Sequence, residues 1–213
     1  MELNPHDLLK ILGGRDLAES IVQPDWVIAA LRKAPFVVVR RSAFINQLVP
    51  VGVRGEMRNQ RFASFLYLHH IVERFIPEEL AVHKIWRKTP RLKEIGLFQV
   101  LELVDEFFTA EGLSWGPTGS VGFELASGVP TVTETSDLDM IIRAPQVLPV
   151  NIGKKLVAKL DKMAISMDVQ LETPYGGVSL VEYARDDQPV LLRTIHGPKL
   201  VTDPWMDDKI LER

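Results

Sequence analysis

From Ile165 to Glu172 hydrophobic and polar residues alternate strictly, with Ile165, Met167, Val169 and Leu171 on one side and Ser166, Asp168, Gln170 and Glu172 on the other. A period of two is the pattern of a strand with one covered face, here a strand whose open face carries carboxylates. Elsewhere the period lengthens. Leu97, Val100, Leu101, Val104, Phe107 and Phe108 fall on one side of a helix that ends at Gly112. Ile152, Leu156, Val157, Leu160 and Met163 line another, with Lys154, Lys155, Lys159 and Lys162 outside. Pro24-Asp25-Trp26 starts a helix through Ala30, Leu31 and Arg32. Phe36 to Arg41, branched residues bracketed by Pro35 and Ser42, predicts a buried strand, with Val49 to Val53 as its partner. The spacing also predicts a short amphipathic helix from Asp7 to Leu12, stopped by Gly13-Gly14. A longer helix from Met57 to Phe75 follows from Phe62, Phe65, Leu66, His69 and Val72. Leu113 to Trp115 reads as a short strand, Gly116 to Ser120 as a turn, Val121 to Ser127 as a helix and Ser136 to Arg143 as a strand.

Pro77, within Ile76-Pro77-Glu78-Glu79-Leu80, disfavours helix before it and favours one after it, which puts a boundary there. The expectation is a smaller α/β N-terminal domain over residues 1–78, binding substrate or a partner, and a catalytic domain over residues 79–213. The fold class is α+β, built on a mixed sheet with helices.

Composition adds little to this until charge is followed along the chain. With 46% hydrophobic and 25% charged residues the composition is that of an ordinary globular protein. No apolar run reaches membrane-span length and Met1 to Pro5 lacks the features of a signal peptide, so a cytoplasmic address is expected. The absence of cysteine excludes disulfides, thiolate metal sites and thiol catalysis. The net charge of −3 hides a segment of +6: residues 32 to 61 carry Arg32, Lys33, Arg40, Arg41, Arg54, Arg58 and Arg61 against Glu56 alone. Lys84, Arg87, Lys88, Arg91 and Lys93 form a second basic cluster. Basic stretches in a mildly acidic protein point to a polyanionic ligand or an acidic partner rather than to nucleic acid.

The chemistry concentrates in Asp137-Leu138-Asp139 and in Gly116-Pro117-Thr118-Gly119-Ser120. Two acids two positions apart on a strand point to one face and repel unless a cation sits between them. Mg²⁺, with Mn²⁺ as a substitute, favours such a seat, because it takes one or two carboxylates plus substrate phosphates. A Gly-Ser turn brings backbone amides and a hydroxyl close to phosphate. Together they suggest nucleotidyl or phosphoryl transfer.

The order of a Gly-Ser turn, a helix, a strand bearing Asp-x-Asp and a later acidic strand resembles the nucleotidyltransferase superfamily. That resemblance implies a phosphate grip by Gly119 and Ser120, metal binding by Asp137 and Asp139, and a third metal carboxylate, Asp168, with Glu172 as its rival. It also implies a nucleotidyltransferase-like sheet. The spacing departs from the pattern, since residues 121–136 separate Ser120 from Asp137 and a longer loop through Ser127 to Thr135 must absorb the excess. A closer resemblance covers nearly the whole chain. Phe36 to Arg41, Val51 to Gly55 with Arg58 and Arg61, Gly116 to Glu124, Ser136 to Asp139, Asp168 to Gln170 and Glu182 to Arg185 are together similar to the malonate decarboxylase holo-acyl-carrier-protein synthases, the phosphoribosyl-dephospho-CoA transferases. What this implies is transfer of phosphoribosyl-dephospho-CoA from triphosphoribosyl-dephospho-CoA to a serine of the decarboxylase's acyl-carrier subunit, with release of pyrophosphate. Asp168 would then also accept the serine proton, and Arg54, Arg58 and Arg61 would steer the polyphosphate or the acidic carrier. No nucleic acid or membrane partner is implied. Two alternatives stay open: a nucleotidyltransferase that adenylylates another hydroxyl, and a non-catalytic nucleotide-binding module.

The remaining candidates read as structural. His69 and His70 point apart on their helix, while His6, His83 and His196 are isolated caps or core residues. Trp115 sits near enough to the glycine turn to touch an adenine, although tryptophans more often pack. Ser179 with Glu182 forms a capping-box pattern.

Overall fold

The computed structural model describes residues 2–18, 22–57 and 59–206. Its strands form two sheets joined by helices, an α+β fold. In the first unit β1 (Leu8–Lys10), β2 (Phe36–Val39), β3 (Leu48–Arg54), β4 (Arg61–Tyr67) and β5 (Glu73–Phe75) pair antiparallel in the order β4-β3-β2-β1-β5. The helix α1 (Asp25–Lys33) buries Val27 and Leu31 in one cluster with Val49, Val51 and Val53 of β3.

Two expected helices are strands. Residues expected as the Asp7–Leu12 helix form β1, which lies between β2 and β5. Its two faces are both covered, Leu9 by the cluster that contains Val27 and Leu31 of α1 and Leu8 by a second cluster with Phe36 and Phe123, so the consecutive Leu8 and Leu9 are both buried. The stretch from Met57 to Phe75 is likewise not helical. β4 pairs with β3 from Leu48 opposite Tyr67 to Arg54 opposite Arg61, a short 3₁₀ turn follows at Leu68–His70, and β5 closes the sheet. Pairing with a neighbouring strand outweighs the local apolar spacing here, and Val72, assigned to the buried helix face, is exposed. Within the 3₁₀ turn the rings of His69 and His70 meet edge to face at 4.3 Å rather than pointing apart.

Beyond Pro77 the chain forms α2 (Pro77–Val82), α3 (Arg91–Glu94), α4 (Leu97–Ala110), β6 (Ser114–Pro117), α5 (Gly119–Ser127), β7 (Leu138–Arg143) and α6 (Val150–Leu160). Then come β8 (Met167–Thr173), β9 (Gly176–Ser179), α7 (Leu180–Ala184), β10 (Val190–Thr194) and β11 (Gly197–Val201). The second sheet runs β11-β10-β9-β8-β7-β6. β7 and β8 are parallel, with α6 carrying the chain back between them, and the other pairs are antiparallel.

The two faces of this sheet have different tasks. Leu138, Met140 and Ile142 of β7 and Val169 and Leu171 of β8 are buried in the main core with Val104 and Phe108 of α4. Trp115 packs there too, 6.0 Å from Trp86 and 5.5 Å from Phe108, so it is a core residue with no access to a base. The opposite face carries Asp139, Ile141 and Arg143 beside Asp168, Gln170 and Glu172, and it meets the first unit through His6 and Arg41. Among the described residues no helix is long and apolar enough to cross a membrane.

Candidate active site

The site begins where β6 gives way to α5. Thr118 donates its backbone N–H to the Asp139 carbonyl at 2.8 Å, which ties the turn to β7. Gly119 then opens α5 with φ +56°, a conformation that costs an L-residue roughly 1–2 kcal/mol. A Cβ at Gly119 would be driven into the Asp139 carboxylate, so glycine is what lets the acid lie against the first turn of the helix. Gly116 has a different reason, since a side chain there would strike the Pro77 backbone at the start of α2.

Register supplies the second acid. Asp139 of β7 lies directly beside Asp168 of β8, on strands about 4.8 Å apart. Burial raises the pKa of Asp139 above the ordinary carboxylate value; the charges of Asp168 and Asp137 add to this, while Arg54 and Arg61 oppose it. Asp137 stands just before β7, half-buried. Three acids thus share one field, and the nearest cations act on them from the first unit.

A cavity of about 510 Å³ lies over this pair, with Arg40, Arg54 and Arg61 on one wall and Gly119, Asp139 and Asp168 on the other. Arg54 and Arg61 face each other across the β3–β4 hairpin, which holds both at one end of the first sheet. Arg58 lies outside the described residues. Ser120 is buried and lines a neighbouring cavity that Arg54 also borders.

Glu172 is elsewhere. It is four residues beyond Asp168 on the same face of β8, roughly 13 Å along the strand, and it is opposite Arg143 in the register. Its carboxylate accepts a hydrogen bond from Arg41 at 2.5 Å and lies 3.4 Å from His6 Nε2. Gln170 also donates to it, and Arg143 is joined in turn to Glu78 of α2. Burial alone would raise the Glu172 pKa, but the hydrogen bond to His6 and the charges of Arg41 and His6 lower it to about 2. Glu172 is a clasp between the units. A larger cavity of about 850 Å³ lies at that end and contains neither Asp139 nor Asp168, so size does not mark the chemistry.

The acids nevertheless form no closed cage: among the described residues no three His, Asp or Glu side chains are placed to hold a metal alone. What they offer is an open carboxylate pair, the donor set to which Mg²⁺ adds substrate phosphates and water. Their mutual repulsion and the close seat of Asp139 against Gly119 fit such an ion.

Several features were invisible in the sequence or misread there. His6 is neither a cap nor a core residue, because it lines the site cavity and contacts Gln170 at 3.2 Å. Arg40 reaches the cavity while its neighbour Arg41 turns to Glu172. In the second basic cluster Lys84 pairs with Asp105, Arg87 with Glu102 and Arg91 with Glu124, so those three charges are answered within the protein. Ser179 caps α7 without a side-chain hydrogen bond, and Glu182 instead accepts from the Leu191 backbone N–H at 2.6 Å.

Family comparison agrees with a cavity built by both units. The model described as "Phosphoribosyl-dephospho-CoA transferase MdcG N-terminal domain" matches residues 4–77, and that of the "MdcG C-terminal domain" matches residues 84–204. The chain belongs to the phosphoribosyl-dephospho-CoA transferase family. It is 41% identical over 182 residues to the phosphoribosyl-dephospho-CoA transferase of Pseudomonas fluorescens (strain Pf0-1), covering 85% of each chain. Proteins of the same name from Pseudomonas aeruginosa and Klebsiella pneumoniae (strain 342) are 38% and 37% identical over 201 residues, 94% of this chain and 93% and 95% of theirs. No solved structure matches. Within this transferase family the arginine wall falls in the N-terminal family domain, and Gly119, Asp139 and Asp168 fall in the C-terminal one.

Proposed function

We propose that this protein transfers phosphoribosyl-dephospho-CoA from triphosphoribosyl-dephospho-CoA to a serine of the malonate decarboxylase acyl-carrier subunit and releases pyrophosphate. One observation carries the reading: two acids abreast on neighbouring strands form the floor of a cavity whose opposite wall is three arginines. That is the charge pattern a triphosphate undergoing substitution requires.

The serine oxygen attacks the α-phosphorus, the bond to the β-phosphate bridging oxygen breaks, and pyrophosphate carries away the negative charge. Arg40, Arg54 and Arg61 hold the polyphosphate and steady it as charge builds on the departing oxygens. Gly119 lines the same cavity and, having no side chain, lets the Asp139 carboxylate lie against the start of α5 beside the phosphates. Asp168, exposed at the cavity, accepts the serine proton, a role that contributes about 10²–10⁴-fold. Of the three acids expected to bind metal, Asp139 and Asp168 form the open pair that would hold Mg²⁺ or Mn²⁺, with Asp137 adding negative charge beside them, and the ion would supply charge neutralisation on the attacking and leaving oxygens.

The test mixes the protein, the apo carrier subunit and the triphosphate with Mg²⁺, then measures pyrophosphate and the carrier's mass. The expected product is a carrier heavier by one phosphoribosyl-dephospho-CoA group and one pyrophosphate per carrier modified. A carrier that gains adenylate alone, or nothing, overturns the proposal.

A further inference from the structure

The second cavity, bordered by Ser120 and Arg54, is a different kind of space from the arginine-walled one. It is about 280 Å³, and its walls are Ala30 of α1, Ala34 just past that helix, Phe123 of α5, and Val129, Pro130 and Thr131 beyond α5. The Phe123 ring is held edge-on by the buried Phe36, at 6.0 Å between centroids and 67° between planes. At its rim Lys33 pairs with Glu56 at 2.8 Å, so the charge there is largely cancelled. Arg54 borders both cavities.

The residues between Ser120 and Asp137 build this wall, and they are not slack. Glu124, buried on α5, accepts the backbone N–H groups of Thr131 and Val132 at 2.8 Å each. Arg91 donates to both Glu124 oxygens and to the Val132 carbonyl, and the Thr131 hydroxyl donates to the Ser120 carbonyl at 2.9 Å. A buried carboxylate satisfied in this way locks the segment to the helix. Val129 is therefore fixed in one apolar cluster with Phe123 and Ala34, and Val129, Pro130 and Phe123 line the cavity together.

We infer that this cavity binds the adenine of the dephospho-CoA moiety, stacked on Phe123, while the phosphates lie in the adjoining arginine-walled cavity. The inference rests on the proposed function, and its chemistry is direct. A flat heteroaromatic ring gains from an aromatic face and apolar walls, and Arg54, which borders both cavities, is placed to meet phosphate borne on the sugar beyond that base. A pantetheine arm, flexible and rich in amides, would need free polar groups, whereas here Lys33 is paired with Glu56 and the Thr131 hydroxyl is spent on the Ser120 carbonyl.

Dephospho-CoA, adenosine monophosphate and 4′-phosphopantetheine are titrated separately by calorimetry against the wild type, Val129→Trp and Ala30→Phe, which fill the cavity from opposite walls at partly exposed positions, and Phe123→Leu. Melting temperatures report on folding. Loss of one stacked base corresponds to about tenfold or more in affinity. The expected result is that loss for dephospho-CoA and adenosine monophosphate in all three variants, with 4′-phosphopantetheine unaffected. Variants that melt like the wild type and bind dephospho-CoA equally well overturn the inference alone. So does a loss confined to 4′-phosphopantetheine. A wild type that binds no dephospho-CoA overturns the function reading along with it.

Discussion

Replacing Glu172 with glutamine should destabilise the protein while leaving its reaction centre in place. The Glu172 side chain is only 5% exposed, and its partners Arg41 and Arg143 are themselves 14% and 21% exposed. Two estimates of the cost agree. The carboxyl falls from an ordinary 4.5 to about 2 despite its burial, through His6 and Arg41; that difference is worth about 3 kcal/mol at about 1.36 kcal/mol per pKa unit. Removing one partner of a buried ion pair independently costs about 3–5 kcal/mol, since the remaining cations stay buried. The sign follows from the direction of the shift. A depressed carboxyl pKa stabilises the folded state fully above the unfolded value, and this stabilisation disappears as pH falls from about 4.5 to about 2. Urea unfolding of wild type and Glu172→Gln, followed by tryptophan fluorescence, should therefore differ by about 3 kcal/mol at neutral pH, with the gap closing steadily at the acid end. A gap below about 1 kcal/mol at neutral pH, or one that does not narrow on acidification, refutes the reasoning. The same variant separates the two candidates for the third acid. Glu172→Gln should still release pyrophosphate at temperatures where it is folded, whereas Asp168→Asn should melt like the wild type and lose about 10²–10⁴-fold in rate. The opposite pattern would move the catalytic role to Glu172.

Three further outcomes follow from the site. Asp139→Asn should abolish transfer yet melt no lower than the wild type, because burial and the charges of Asp168 and Asp137 already oppose ionisation at that position; a clear drop in melting temperature would show that Asp139 is structural. Gly119→Ala should lose transfer and roughly 1–2 kcal/mol from its left-handed backbone, whereas Gly96→Ala, also left-handed at φ +72° but with open space around it, should show only the backbone cost; equal activity in the two variants would rule out the contact with Asp139. Arg54→Ala and Arg61→Ala should each raise KM for the triphosphate, with the effect shrinking as ionic strength rises and the Debye length falls to about 8 Å near physiological salt; a KM that does not change at low salt would remove these residues from substrate binding.

Local pattern was enough wherever an element is covered on one side. α4, α6 and β8 each present one apolar face to the main core, and their periods of 3.6 and 2 were readable directly. It failed in the first unit for a physical reason. β1 is covered by a different apolar cluster on each face, so Leu8-Leu9 shows no alternation, and β4 takes its conformation from a full-length pairing with β3. Hydrogen bonds to a strand distant in sequence leave no mark in the local period. The fate of the bases was hidden in the same way: Lys84, Arg87 and Arg91 are neutralised by acids 15 to 33 residues away, which no count of local charge could reveal.

The acids of β8 make the limit sharper. Alternation correctly assigns Asp168, Gln170 and Glu172 to one face, and on that evidence Asp168 and Glu172 are equal candidates to join Asp139. What separates them is the register of a parallel pair, set by how far α6 carries the chain back before β8 begins. With Asp139 beside Asp168, the same register puts Arg143 beside Glu172, so one end of the face gathers like charges and the other gathers opposite ones. Like charges brought together at a cavity stay costly until a cation relieves them; opposite charges buried together act as a clasp. A slip of two residues would keep every side chain on its present face and still undo both ends: with Asp139 beside Ser166, Asp168 would face Ile141 and Arg143 would face Gln170, leaving neither acid pair nor clasp. The clasp at Arg41, His6 and Glu172 also holds the first unit against this face, and that unit supplies the arginine wall. The charge that stabilises the interface and the charge that carries the proposed reaction therefore depend on a single strand alignment.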